Sequence, residues 1–179
     1  FNEKKITFFT TGTVALTHPM LLKRIVDDGH EIACHYHFHD LMYEHSLEDI
    51  ESNIILAREA IKDACGKYPT GFRAPAFSIE NGREDVYLLL SRYFKYDSSY
   101  VLHDYEINNA SFKDKAPFNI EGFQEFPIIS LPWFKRFNLK SGGTFFRLFR
   151  TRNLIDVLNN SIEHGFTPLI YLHPYDFLS

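Results

Sequence analysis

Residues 29–40 read GHEIACHYHFHD, and this stretch decides which fold and which chemistry are expected of the chain. A short β-like run at 31–35 ends in His35, and His39 follows four residues later. Imidazole nitrogen is a common ligand of Zn²⁺ and its first-row neighbours, and a catalytic site needs about three protein ligands plus an open position for water. A zincin motif, H-E-x-x-H on a helix, is disfavoured because Tyr36 replaces the glutamate and no helical pattern surrounds it. The two histidines therefore predict half of a divalent-metal site.

Outward from this stretch, strand-like and helix-like segments alternate along the chain. The predicted strands are residues 6–10, 31–35, 72–75, 95–98, 123–129 and a final buried strand at 168–173. The predicted helices are residues 17–29, 46–66 (opened by a capping box), 84–94 and 152–164. Such alternation predicts an α/β fold with a parallel sheet, either open or rolled into a barrel.

Four polar residues fall at or just beyond the carboxyl ends of predicted strands: His35, Arg73, Asp97 and His173. In parallel α/β folds this edge is where ligands bind and chemistry occurs. The pattern therefore predicts an enzyme-like site there. His37, between the two candidate ligands, is expected to face solvent, with a role as a spare metal ligand as the alternative.

Composition narrows the range of partners. The 179 residues fit one domain, residues 1–179, and the net charge of −4 comes without any block of Lys or Arg. We therefore expect no nucleic-acid partner and no anionic-lipid partner. No apolar run is long enough for a transmembrane segment. The two cysteines, Cys34 and Cys65, do not indicate a disulfide framework.

Five short motifs tie these segments together. They are residues 7–9 (TFF), 29–32 (GHEI) leading to His35 and His39, 71–75 (GFRAP), 96–99 (YDSS) and 171–174 (YLHP). They resemble the motifs of the polysaccharide deacetylases of the NodB-homology type, carbohydrate esterase family four, over most of residues 4–177. The resemblance implies a distorted (β/α) barrel and removal of N-acetyl groups from amino sugars of a polysaccharide or its lipid-linked precursor.

The second half resembles a branch of that family found with bacterial exopolysaccharide genes. The resemblance is carried by residues 125–127 (EFP), 141–148 (SGGTFFRL) and 173–176 (HPYD). Trp133, between the first two motifs, is equally compatible with a sugar platform and with a core anchor.

The resemblance implies a role for each site residue. His35 and His39 would bind a divalent metal, with Zn²⁺ as the expected ion, and His173 would be the general acid that protonates the leaving amine. The other implied roles are orientation of the catalytic carboxylate by Arg73, an oxyanion contact from the backbone N–H of Ala76, and a border of the acetyl pocket at Leu172. Asp97 would orient His173 or pair with Arg73.

One family motif is missing from the chain. A strand ending in Asp-Asp, which supplies the catalytic base and the third metal ligand, should precede residues 6–9, but none of the five residues before that strand is Asp. Asp27 and Asp28 do not replace it, because they lie in the last turn of a predicted helix. We expect either a barrel that lacks its first strand in an N-terminally incomplete chain, or a natural member without its base.

Three functions stay open at this point. The first is a metal-dependent N-deacetylase of a carbohydrate; the second is a hydrolase of another amide, such as a formyl-amino sugar or a cyclic amide. The third is a carbohydrate-binding protein without catalytic activity. Tested alone, the 179-residue chain is expected to show little or no deacetylase activity.

Overall fold

A computed structural model describes residues 4–107, 109, 113–114, 117–134, 137–143 and 148–177. Residues 144–147 of the second-half motif and the side chain of Trp133 lie outside this description. The chain divides into two compact units: Phe1–Ser99 with Ala116–Glu125, and Tyr100–Lys115 with Phe126–Ser179. None of the described helices combines the length and the hydropathy needed to cross a bilayer.

The elements follow one another in a mixed α/β order. The strands are β1 Thr7–Thr10, β2 Glu31–Cys34, β3 Gly71–Phe72, β4 Tyr96–Asp97, β5 Val101–His103, β6 Gln124–Glu125, β7 Ile128–Phe134 and β8 Phe137–Lys140. The α-helices are α1 Gly12–Thr17, α2 Pro19–Asp27, α3 Leu47–Cys65, α4 Glu84–Tyr93, α5 Asp104–Ile107 and α6 Thr151–Glu163. Short 3₁₀ helices occupy Met42–Glu44, Pro75–Phe77 and Pro174–Phe177.

The first unit is built on a five-stranded parallel sheet in the order β1-β2-β3-β4-β6. Its register aligns the last residues of all five strands in one row, Thr10, Cys34, Phe72, Asp97 and Glu125. The parallel sheet expected from the sequence is therefore confirmed. Because the strands end together, the residues that follow them emerge at one edge.

Helix α3 shows how directly the sequence encodes part of this unit. Ser46 caps it, accepting a 3.1 Å hydrogen bond from the backbone N–H of Asp49, and Gly66 ends it in the left-handed conformation at φ +79°. Its buried residues recur three or four positions apart, as a helix packed on one face requires; they are Ile50, Ile54, Ala57, Ala60 and Ile61. The predicted helix at 46–66 is confirmed.

The segment after β1 differs from its prediction, because a separate helix, α1, precedes α2. Thr11 caps α1 by accepting a 3.3 Å hydrogen bond from the N–H of Val14. Pro19 lacks a backbone N–H and cannot continue a helix that begins upstream, so the chain breaks at His18 and α2 starts at Pro19. Helix α1 was missed because six residues are too few to show a helical period.

The second unit contains a three-stranded sheet in the order β5-β7-β8, with β5 and β7 parallel and β7 and β8 antiparallel. The strand predicted at 123–129 is two strands, β6 and β7, which belong to different sheets. Pro127 separates them, since proline has no N–H to offer a ladder. The predicted helix at 152–164 is confirmed as α6, which buries Leu154, Val157 and Ser161.

The predicted buried strand at 168–173 is wrong. In the described part of this segment only Tyr171 forms a bridge, to Gly142, while Ile170 is 53% exposed and Leu172 46% exposed. A run of apolar residues is typical of a strand covered on both faces, yet periodicity alone does not supply a partner strand. One bridge is not enough to bury the run.

Candidate active site

His35 and His39, the two predicted metal ligands, lie side by side. His35 directly follows β2 and is held to β1 by a 2.9 Å bond from its N–H to the carbonyl of Thr10. The ring centroids of His35 and His39 are 5.1 Å apart, edge to face at 72°. The His35 ring is half-buried and that of His39 is exposed. The two rings are therefore close enough together to serve as ligands of one ion.

A backbone contact defines the state of the His35 ring. Its Nδ1 lies 2.6 Å from the carbonyl oxygen of Arg73. A carbonyl only accepts, so Nδ1 carries a proton, and in the neutral ring Nε2 carries the lone pair. Metal-binding histidines usually donate their second ring N–H in this manner, which orients the ring and raises its basicity. The geometry thus fits His35 as an Nε2 ligand of a divalent ion.

The described residues supply only part of a full ligand set. No group of three or more His, Cys, Asp and Glu side chains within residues 4–177, as far as they are described, is arranged to hold a metal ion. A catalytic zinc site has about three protein ligands. The histidine pair therefore fits as two of the ligands of such a site.

A strained and buried tyrosine positions the turn between the two histidines. Tyr36 adopts φ +71°, which is rare for a bulky residue and costs roughly 1–3 kcal/mol. Its side chain is fully buried, and its hydroxyl is 2.9 Å from Nδ1 of His45. Burial raises the pKa of Tyr36, so the phenol stays neutral. The surrounding packing holds a turn that would otherwise relax.

The same turn explains why the prediction for His37 is wrong. This side chain is buried, with 7% exposure, instead of facing solvent. It packs against Gly12 so closely that a Cβ added there would lie 2.2 Å from its Nδ1. The left-handed Tyr36 turns the chain at this point, and the His37 side chain that follows it is buried. Burial lowers the pKa of His37.

Arg73, at the end of β3, binds the backbone and side chain of a neighbouring strand end. Its Nε donates to the carbonyl of Ser98 at 3.0 Å, and its Nη2 donates to the Ser98 hydroxyl at 2.7 Å. The guanidinium also lies 4.2 Å above the ring of Phe9. The predicted partner was Asp97; the structure places these hydrogen bonds on the next residue along the chain.

Asp97 is fully buried at the end of β4 and lies in a small network of its own. Its Oδ1 accepts a 2.7 Å bond from the Ser99 hydroxyl, and its Oδ2 accepts a 3.0 Å bond from the Ser99 N–H. It is also hydrogen-bonded to the carboxyl group of Glu125, its register partner on β6. Burial raises the pKa of Asp97, whereas the hydrogen bonds from Glu125 and Ser99 act in the opposite direction. No role for Glu125 was predicted from the sequence, although Glu125 belongs to the motif at 125–127.

Ala76 lies in a loop of unusual backbone geometry. It adopts φ +51° and ψ +22° within the short helix Pro75–Phe77, which is the left-handed conformation. This conformation determines the direction in which the backbone N–H groups of the loop point. An open groove of about 430 Å³ borders it, lined by Leu41, Tyr43 and residues 76–81. The predicted oxyanion contact is thus on an accessible loop.

His173 and Leu172 belong to the second unit, whereas the other predicted site residues belong to the first. The N–H of His173 donates to Oδ2 of Asp176 at 2.8 Å, and its ring Nδ1 lies 3.4 Å from the same oxygen. The His173 ring stacks on Tyr175 at 4.7 Å. The carboxylate found beside His173 in this unit is therefore Asp176, a residue that the sequence had placed in a motif without a role. Leu172 is substantially exposed.

Comparison with known proteins agrees with this arrangement. Residues 2–88 match the family model described as polysaccharide deacetylase. A peptidoglycan deacetylase of Helicobacter pylori is 35% identical over 99 residues, which are 55% of this chain and 33% of that protein. A chitooligosaccharide deacetylase of a Bradyrhizobium species is 34% identical over 70 residues, 38% of this chain and 32% of that protein. The chain thus spans about a third of the length of these curated relatives.

A solved structure extends the similarity to the fold of nearly the whole chain. The crystal structure of a putative polysaccharide deacetylase from Mycobacterium smegmatis aligns with a TM-score of 0.62 and 21% identity, over 94% of this chain and 58% of that chain. The α/β fold is therefore that of the NodB-type (β/α)-barrel deacetylases. The family match over residues 2–88, which include the histidine pair, and this fold together support a polysaccharide deacetylase of the NodB-homology type, carbohydrate esterase family four.

Proposed function

We propose that the protein carrying this chain is a metal-dependent hydrolase that removes N-acetyl groups from amino sugars of a polysaccharide or of its lipid-linked precursor. The observation that carries the proposal is the pair His35 and His39, with the Nδ1 proton of His35 bound to the Arg73 carbonyl. The named activities of relatives, on peptidoglycan and chitooligosaccharide, support an N-acetylated amino sugar as the substrate class.

An amide is difficult to hydrolyse because its carbonyl is a weak electrophile and its nitrogen a poor leaving group. A bound divalent ion, with Zn²⁺ as the expected ion, would polarise the acyl carbonyl and lower the pKa of water. His35 and His39 would hold that ion through their ring nitrogens. The backbone N–H of Ala76 would donate to the developing oxyanion, and one such donor is typically worth about 3 kcal/mol.

A proton must reach the nitrogen before the amine can leave. His173 is the proposed donor, and Oδ2 of Asp176 lies 3.4 Å from its ring Nδ1, so Nε2 would be the nitrogen that serves the substrate. Leu172 would border the space for the acetyl methyl group. Arg73 would act at the sheet edge by holding Ser98 in place, and through it the neighbouring Asp97.

The test combines metal binding with product analysis. Zinc affinity and acetate release from N-acetylated peptidoglycan fragments and chitooligosaccharides are measured for the 179-residue chain and for the longest natural reading frame that contains it. The variants are His35→Ala and His39→Ala, and the control is His18→Ala, whose exposed ring makes no capping bond. We expect chelator-sensitive acetate release by the longer protein, lost in both site variants and kept in the control. Release of formate or opening of a cyclic amide instead would identify a different amide substrate.

A second function, carbohydrate binding without catalysis, is favoured by one observation. Among the described residues, no group of three or more His, Cys, Asp and Glu side chains is arranged to hold a metal ion. If the longer protein binds chitooligosaccharides but releases no acetate at any zinc concentration, this second function replaces the first.

A further inference from the structure

We propose that Glu125 is a positioning residue: its protonated carboxyl group donates to Asp97, and the pair acts through Ser99 to fix the peptide unit that orients His35. The proposal rests on the proposed function only for the role of His35 as a metal ligand. None of the roles predicted from the sequence involves Glu125.

The sheet itself brings the two carboxyl groups together. Asp97 and Glu125 are register partners at the ends of the parallel strands β4 and β6, so their side chains leave the same face at neighbouring positions. Asp97 is fully buried and Glu125 half-buried. Two ionised carboxylates so close and so poorly hydrated would repel each other strongly, and one shared proton removes this cost.

The hydrogen bonds decide which carboxyl group holds the proton. The N–H of Ala74 donates to the Ser99 hydroxyl at 2.8 Å, so that oxygen is an acceptor there and its own hydrogen must point elsewhere. It points to Oδ1 of Asp97, while the Ser99 N–H occupies Oδ2. Both oxygens of Asp97 accept, as in an ionised carboxylate. Because Asp97 accepts bonds from Ser99 at both of its oxygens, we place the shared proton on Glu125, which lets Glu125 donate to Asp97.

The next link is a single peptide bond. The N–H of Ala74 and the carbonyl of Arg73 belong to the same planar unit and point in opposite directions. Ser99 binds the N–H end at 2.8 Å, and Nδ1 of His35 binds the carbonyl end at 2.6 Å. Fixing one end of a rigid plane fixes the other. The pair of carboxyl groups thus determines the orientation of the His35 ring through Ser99 and this peptide unit.

Charge strengthens this geometric effect. The negative charge of Asp97 polarises the Ser99 hydroxyl, which in turn polarises the Ala74 N–H and makes the Arg73 carbonyl a better acceptor. A stronger bond at Nδ1 raises the basicity of Nε2, the nitrogen offered to a metal. All donors and acceptors along the path point in compatible directions, and the path is largely buried: Ala74 is 1% exposed and Ser99 2% exposed.

The experiment compares Glu125→Gln, which keeps a neutral side chain able to donate, with Glu125→Ala, which does not. Glu121→Gln and Glu121→Ala are matched controls, because Glu121 is an exposed carboxylate in the turn before the same strand. The protein is studied as the 179-residue chain and within its longest natural reading frame. Two quantities are measured for each: affinity for Zn²⁺ by calorimetry, and the infrared carbonyl band of a protonated carboxylic acid at neutral pH.

We expect Glu125→Ala to weaken zinc binding by about tenfold or more, the usual effect of removing an outer-shell partner, and Glu125→Gln to stay close to the wild type. The wild-type protein should show the protonated-acid band at neutral pH. Labelling glutamate isotopically should shift it, and Glu125→Gln should abolish it. The Glu121 variants should change neither quantity.

Three results would overturn the proposal: no such band in the wild type, a band that shifts only with labelled aspartate, or unchanged zinc affinity in Glu125→Ala. If Glu125→Ala does not fold, the infrared comparison of the wild type with Glu125→Gln decides alone. Neither measurement uses a carbohydrate, so absence of acetate release would refute the proposed function and leave this inference standing.

Discussion

The hydroxyl of Ser99 links two buried groups, and its removal in Ser99→Ala should be costly. The substitution leaves the buried Ala74 N–H without its acceptor, which costs roughly 1–3 kcal/mol. It also removes the 2.7 Å bond to ionised Asp97, and hydrogen bonds to charged groups contribute roughly 1.5–3 kcal/mol. Asp97 keeps its bonds from the Ser99 N–H and from Glu125, and alanine leaves almost no cavity. We therefore expect a loss of about 3 kcal/mol in the free energy of unfolding.

Urea unfolding followed by circular dichroism measures this loss, and hydrogen exchange at the Ala74 amide locates it. The control is Ser52→Ala, because Ser52 is exposed and its hydroxyl bonds only the Glu48 carbonyl within α3. That variant should change stability by less than about 0.5 kcal/mol. If Ser99→Ala is as stable as the control and the Ala74 amide exchanges no faster, the hydroxyl does not connect these groups and the reasoning fails.

Two further predictions test the packing around the histidine turn. Gly12→Ala should destabilise the protein by roughly 1–3 kcal/mol, because the new Cβ would lie 2.2 Å from Nδ1 of His37 and 2.9 Å from Cα of Ala57. Urea unfolding measures this loss of stability, and an unchanged unfolding midpoint would contradict the prediction. Cys34 should resist iodoacetamide at pH 8: burial raises its pKa to about 12, so its thiolate fraction there is on the order of 10⁻⁴, and it is fully buried. Cys65 is half-buried and should be labelled faster in the native protein. Equal labelling, read by mass spectrometry, would show that the turn opens readily.

Features encoded in short stretches of sequence were predicted well. The capping box at Ser46 and the glycine at 66 define α3 locally, and alternating segments sufficed to predict the parallel sheet. His35 was placed at a strand end, and the structure brings it next to His39, although their role as metal ligands stays a prediction. Each of these features depends on residues within a few positions of one another.

Features that depend on partners far along the chain were not predictable in the same way. The apolar run at 168–173 gave no sign that only Tyr171 would find a bridge. The burial of His37 depends on the left-handed backbone conformation of Tyr36, and aromatic residues rarely adopt that conformation. The pairing of Asp97 with Glu125 depends on the register of two strands separated by a long connection.

The backbone at residues 73 and 74 gives a physical reason why the proposed site lies at the strand ends and not in the strand interiors. The N–H of Arg73 makes the last ladder bond to the carbonyl of Cys34, and the N–H of Ser98 binds the carbonyl of Phe72. Beyond that point the Arg73 carbonyl and the Ala74 N–H have no strand to pair with, and buried polar groups must find partners. His35 and Ser99 are those partners. The ring of His35, a proposed metal ligand, is thus oriented by satisfying the first backbone groups that leave the sheet. The motif Arg73-Ala74-Pro75 contributes to this orientation through its peptide groups as well as through its arginine.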